Sequence, residues 1–280
     1  MQIIRTVVEL RAWSRASRQA GKSVGLVPTM GALHEGHLSL VRAAKASCGV
    51  VAASIFVNPT QFGPNEDFAL YPRTFEADCK LLEAEGIDAV FAPVPEEMYP
   101  AGAVTFVEVA GLSDRLDGAS RPGHFRGVAT VVAKLFLVAE PDRAFFGQKD
   151  AAQVAVLRRM TADLGLRVEL VVCPIVREPD GLAMSSRNRY LSVEERRQAL
   201  VLSRALQAAQ RLVESGEHRA ALIIQEVHKV FATEPAVRVD YIAAVDWATL
   251  EPVPELVSGS LFAIAAYVGS TRLIDNFVVE

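Results

Sequence analysis

Through the first 176 residues, apolar β-branched runs alternate with helix-like stretches, which predicts an α/β fold with a mostly parallel sheet covered on both faces. Beyond Val176 the texture changes to a polar loop, two helix-like stretches and three closing strand-like runs, the pattern of a smaller α+β domain. Polar motifs directly follow the first, second and fifth apolar runs, where open parallel sheets bind ligands. The predicted division is therefore a Rossmann-like domain over 1–176 and a smaller α+β domain over 177–280.

Strands are expected at 24–27, 50–57, 89–94, 104–109, 143–146 and 167–176, each an apolar run bounded by turn residues. Helices are expected at 37–48, 74–86, 126–140 and 150–164; in the first, Leu38, Leu40, Val41 and Ala44 share one face. After the polar loop Arg177 to Asn188, Ser192 and Glu195 have capping-box spacing for a long helix ending near 214. A second helix follows at 218–232. Strand-like runs at 238–245, 261–268 and 273–279 close the chain, with Pro252 and Pro254 marking a loop.

The composition narrows the function. With 280 residues and 51% hydrophobic content the chain can build one large core or two ordinary ones. Its 29 basic and 33 acidic residues leave a net charge of −4, so it offers no global attraction for nucleic acid or an anionic membrane. Phosphate-binding charge has to be local. Cys48, Cys79 and Cys173 form no close pair, which points to a reducing compartment and to small core residues. Charges begin early at the N-terminus, and no uncharged run is long enough to span a bilayer, so a soluble, cytoplasmic protein is expected.

Chemistry is expected first between Pro28 and Val41, where His34 and His37 lie three residues apart in a glycine-bearing turn from strand to helix. A helix N-terminus presents unpaired N–H groups and the positive end of the dipole, and both attract phosphate. Gly31 and Gly36 let the main chain turn sharply there. Two histidines at this spacing also suit a metal, but no third ligand is evident: His124 is placed in a separate loop, and His218 and His228 in the C-terminal helical region.

Other motifs are individually weaker. Gly147-Gln148-Lys149-Asp150 offers a cation, although alone Asp150 reads as a helix cap and Lys149 as a solvated charge. Met184-Ser185-Ser186-Arg187-Asn188-Arg189 carries hydroxyl and guanidinium donors suited to polyphosphate, and reads equally as a polar linker. Gln61 and Gln153 could bind a hydroxyl or carboxylate. The loop Arg121 to Gly127 either reinforces anion binding or shapes its surroundings.

Taken together, Pro28 to His37, Phe56 to Gly63, Asp67 to Arg73, Arg121 to Gly127, Phe146 to Asp150 and Met184 to Arg189 closely resemble the pantothenate synthetase family. His34-Glu35-Gly36-His37 is similar to the His-x-Gly-His signature of nucleotidyltransferases and class I aminoacyl-tRNA synthetases. The resemblance implies ATP-dependent ligation of pantoate to β-alanine through pantoyl-adenylate, with Mg²⁺ on the ATP phosphates and a homodimeric enzyme. It places Met30, Gly31, Ala32, Leu33, His34, Glu35, Gly36 and His37 against ATP, with His37 as proton donor. Gly147, Gln148, Lys149 and Asp150 hold the adenosine part, Val176 supplies main-chain contacts, and Met184, Ser185, Ser186 and Arg187 complete the ATP site. His34, His37, Lys149 and Arg187 are the implied catalytic residues; Gln61 and Gln153 bind pantoate, Gln61 also meeting β-alanine, and no protein-held metal is implied. Loops at 63–73 and 177–189 are the implied lids. Two positions depart from the family: Gln148, where many members carry glutamate, and Ala152, where a first glutamine is usual. The competing readings are another nucleotidyltransferase on this fold, a catalytically silent nucleotide binder and a metal-binding structural module.

Overall fold

The computed structural model describes residues 1–64 and 66–280; Asn65, within the predicted 63–73 lid, lies outside the described residues. Two compact units make up the chain, one of 1–147 with 156–173, the other of 148–155 with 174–280. The turn carrying Lys149 and Gln153 thus groups with the C-terminal unit, whereas the sequence places it in the 1–176 segment.

In the first unit, β1 (Gln2–Ile4) leads to α1 (Val7–Gln19), whose Thr6 and Glu9 form a reciprocal capping box. Then follow β2 (Val24–Thr29), α2 (Glu35–Ser47), β3 (Val50–Ile55), α3 (Phe75–Ala84) and β4 (Ala89–Phe91). The short helices α4 (Pro95–Met98) and α5 (Asp117–Ser120) precede α6 (His124–Ala139), β5 (Arg143–Gly147), α7 (Ala151–Asp163) and β6 (Glu169–Cys173). The six strands are parallel, in the order β1-β4-β3-β2-β5-β6. Winding reverses at β2, so the carboxyl ends of β2, β3 and β5 lie side by side at the switch point where such sheets form a crevice. Val24 to Val27 are all buried, as a central strand covered on both faces requires.

One expected strand is absent. Residues 104–109 form an extended segment outside the sheet, with Val104 82% and Phe106 50% exposed. Their β-branched alternation satisfies strand propensity, yet no neighbouring strand pairs with them; Val107 N instead donates to Thr130 Oγ1 of α6 at 2.9 Å.

In the second unit, α8 (Val193–Glu214) carries the Ser192 and Glu195 capping box and packs with α9 (Ala220–Phe231) on the antiparallel sheet of β7 (Val237–Asp246), β8 (Ser260–Val268) and β9 (Thr271–Val278). β8 is central and almost wholly buried. Among the described residues no helix is long and apolar enough to cross a membrane.

Candidate active site

The first group of candidate residues follows β2. Gly31 and Ala32 both have left-handed backbone, φ 83° and 51°. That conformation is free for glycine and strained for alanine. Asp78, 2% exposed on α3, holds the turn: Oδ2 accepts from Ala32 N at 2.9 Å and Oδ1 from Leu33 N at 2.8 Å, and Thr74 Oγ1 donates to the same carboxylate. Sequence reading missed Asp78. The signal was an acid one helical turn before buried Leu82, on the apolar face of the predicted helix.

The turn delivers His34 as N-cap of α2 and His37 into its first turn, with ring centroids 4.1 Å apart. Gly36 is helical rather than a sharp turn, and its N–H donates to His34 Nδ1 at 3.2 Å. An Nδ1 that accepts leaves the proton of the neutral imidazole on Nε2, so His34 presents a donor there. Glu35 pairs with Arg42 on the helix surface.

Beside this turn, at the end of β3, Asn58 organises Gln61. Asn58 is 1% exposed; its Nδ2 donates to Gln61 Oε1 at 3.0 Å and Gly127 O at 3.1 Å. Tyr99 and Thr60 hydroxyls donate to its Oδ1 at 2.8 and 2.9 Å. This pattern fixes the amide orientation of Asn58 and hence of Gln61, whose Nε2 is directed to the Met30 side, 3.1 Å from Sδ. Burial pushes the Tyr99 phenol above its ordinary value, so it stays a donor.

The Arg121 to Gly127 motif shapes this corner. His124 begins α6 rather than lying in a loop. Its Nδ1 donates to Gln61 O at 2.9 Å and its Nε2 accepts from Arg121 Nη1 at 3.0 Å, so the ring is neutral. Burial and the Arg121 charge hold its pKa down at about 4. Arg121, at the end of α5, is bidentate to Glu66, at 2.8 and 2.6 Å, which ties the 63–73 loop to the α5–α6 connection. Burial disfavours the Glu66 carboxylate, but the hydrogen bonds and charge of Arg121, together with the smaller contributions of His124 and the Gly63 backbone, leave its pKa lowered. Only glycine suits position 127, because a Cβ there would stand 2.3 Å from Thr60 O.

The second group lies in the C-terminal unit, except Gly147, which ends β5. Gln148 to Asp150 form a 3₁₀ turn running into α7; Lys149 is part-buried, 3.7 Å from Asp150. Trp247 Nε1 donates to Ala151 O at 2.9 Å. Gln153 is half-buried on α7, and Ala152, where the resemblance expects a glutamine, is buried. Val176 O accepts from Met184 N at 2.9 Å, closing a hairpin that passes into Ser185, the cap of a 3₁₀ turn over Ser186–Tyr190. Arg196 of α8 pairs with Glu178 and Asp180, and Asn188 Nδ2 donates to Glu178, so the predicted 177–189 lid is anchored within its own unit. The guanidinium lowers both carboxyl pKa values, against the opposing effect of burial. Among the described residues no three His, Cys, Asp or Glu side chains converge to hold a metal ion.

A glycine-assisted turn feeding two neighbouring histidines, their rings tilted by 39°, into a helix N-terminus at the switch point is a geometry suited to phosphate. The family model of pantoate-β-alanine ligase matches residues 2–278. The chain belongs to that family. A pantothenate synthetase of Acidobacterium capsulatum is 64% identical, the alignment covering 100% of this chain and 97% of the relative. The crystal structure of pantothenate synthetase from Thermus thermophilus superposes with a TM-score of 0.94 at 48% identity, covering 99% of both chains. The pantoate-β-alanine ligase of Francisella tularensis, solved as a complex with β,γ-ATP and β-alanine, has a TM-score of 0.82 at 33% identity, covering 99% of this chain and 97% of that one. Family membership and the α/β fold implied by the motifs therefore stand, and the chain is a ligase of this family.

Proposed function

We propose that this ligase condenses pantoate with β-alanine in two steps. In the first, a pantoate carboxylate oxygen attacks the α-phosphorus of ATP, and the bond to the β-phosphate oxygen breaks to release diphosphate. Charge accumulates on phosphate oxygens, so catalysis needs donors and cations rather than a protein nucleophile. The supporting observation is the His34–His37 pair at the start of α2, with the ring proton of neutral His34 on Nε2 by its tautomer. In this reading His37 gives a proton to the departing phosphate oxygen, and Lys149, Ser185, Ser186 and Arg187 take the remaining phosphate charge.

In the second step the β-alanine amine attacks the activated acyl carbon, the carbon–oxygen bond to AMP breaks, and the amine proton is lost to the medium. Gln61, its Oε1 held by Asn58, offers Nε2–H donors to pantoate oxygens, and Gln153 gives a second amide. The His34 turn presents N–H donors, not the oxygen ligands magnesium prefers, so Mg²⁺ enters on the ATP phosphates as part of the substrate. Bound there, the ion would neutralise phosphate charge. The exposed apolar residues of the 104–109 segment support a homodimer, and the three free cysteines suit a reducing cytoplasm.

The test is AMP formation from ATP, pantoate and β-alanine. Release of AMP that requires both pantoate and ATP is expected; AMP formation indifferent to pantoate would reject the reading in favour of another nucleotidyltransferase.

A further inference from the structure

β9 carries two adjacent buried polar residues, Asp275 and Asn276, 2% and 3% exposed, between the apolar pairs Leu273-Ile274 and Phe277-Val278. Burying a carboxylate and an amide in a sheet costs stability unless each group is fully paired, and an apolar pair would serve the core as well. Both are fully committed, and each to a different phosphate-side element. The Asp275 carboxylate accepts a bidentate pair from Arg177, at 2.7 and 3.0 Å, and Arg177 Nη1 also donates to Gly181 O at 3.1 Å. Arg177 faces Ala183 across the hairpin that runs directly into Ser185, Ser186 and Arg187. Asn276 Nδ2 spends its two hydrogens on Gln148 O and Lys149 O, at 3.1 and 2.9 Å, and its Oδ1 accepts from Gln148 Nε2 at 3.3 Å. Successive strand residues point to opposite faces, so one two-residue step reaches both elements.

We propose that Asp275 and Asn276 are positioning residues that set the spacing of Lys149 from the Ser185–Arg187 turn, so that both engage one polyphosphate. The proposal rests on the reading of those groups as phosphate ligands. Gln148 belongs to the device: its amide donor orients Asn276, whereas a carboxylate there would set acceptor against acceptor.

The experiment uses the full chain. Asn276→Asp keeps size and the acceptor but removes both donors to the 148–149 carbonyls. ATP KM is expected to rise by about tenfold, because a small misplacement of a charged group carries a cost of that order, with pantoate KM held within about twofold. Adding Asn276→Asp to Lys149→Ala should produce little further loss. Equal losses for ATP and pantoate, or additive losses in the double variant, would overturn the proposal. Should Asn276→Asp fold poorly by thermal melting, Gln148→Ala carries the same test, with a smaller ATP-selective loss expected and an unselective loss refuting it. Calorimetric titration with α,β-methylene ATP reads nucleotide affinity without turnover. Wild-type protein that binds this analogue but forms no pantoate-dependent AMP would therefore sink the ligase reading and still leave the positioning proposal to be judged on nucleotide binding.

Discussion

Asp78→Asn is the sharpest perturbation of the histidine turn. The two carboxylate oxygens take one main-chain N–H each, from Ala32 at 2.9 Å and Leu33 at 2.8 Å, in a site sealed from solvent. An amide keeps one acceptor and turns a donor toward the other N–H. One charge-assisted bond is lost and one buried donor is stranded, a combined cost of about 2–4 kcal/mol. The released segment includes Ala32 at φ 51°, whose left-handed backbone costs about 1 kcal/mol when nothing holds it. The turn is then expected to relax and carry His34 and His37 away from the phosphate, lowering AMP formation by about 10²-fold. Denaturant unfolding measures the first quantity and initial rates at saturating ATP the second. Ala32→Gly in the Asp78→Asn background should recover part of both, because glycine adopts that backbone without strain. A stability change under about 1 kcal/mol with unchanged turnover would refute the reasoning, since it would mean that the turn holds its shape without the carboxylate.

Three further outcomes are expected. His37→Ala should leave the melting temperature near wild type and cut turnover by about 10²-fold, the scale of one transition-state donor; unchanged turnover at saturating substrate removes His37 from the phosphate. Tyr99→Phe deletes the 2.8 Å bond that orients Asn58 and, through it, Gln61, so pantoate KM should rise by about three- to tenfold, from about 1 kcal/mol, while ATP KM stays constant. A shift in ATP KM alone would contradict that chain of contacts. His124 falls from 6.5 to about 4 on burial beside Arg121, so the unfolded chain binds its proton first and stability drops as pH falls from above 6.5 toward 4. The loss approaches about 3 kcal/mol at the acid end of that window. His124→Gln should flatten the pH 6.5 to 4 slope of the melting temperature; an unaltered slope would exclude His124 as its source.

Elements that form from local pattern were legible. The capping box at Ser192 and Glu195, the apolar face of α2 and the buried run of β2 each carry their signal within a few residues. A second capping box, Thr6 with Glu9, was equally readable and marks α1. The 104–109 segment shows the limit of such signals, because strand propensity needs a partner strand and the sheet order supplies none. The histidine pair, Lys149 and the serine–arginine loop were legible as donors and cations of the kind phosphate attracts, and Gln61 as an amide suited to a hydroxyl or carboxylate, but only their combination carried the family resemblance.

By itself the sequence determined the periodicities, the strand-to-helix turn at His34 and the residue types suited to phosphate, since these follow from side-chain chemistry and short-range spacing. Tertiary structure alone decided what holds them. Asp78 reaches Ala32 across 46 positions, Asn276 reaches Lys149 across 127, and Arg177 meets Asp275 across 98. Hydrogen bonds over such separations exist only once sheets and helices have packed, and a buried polar side chain gives no local periodic signal of the partner it will find.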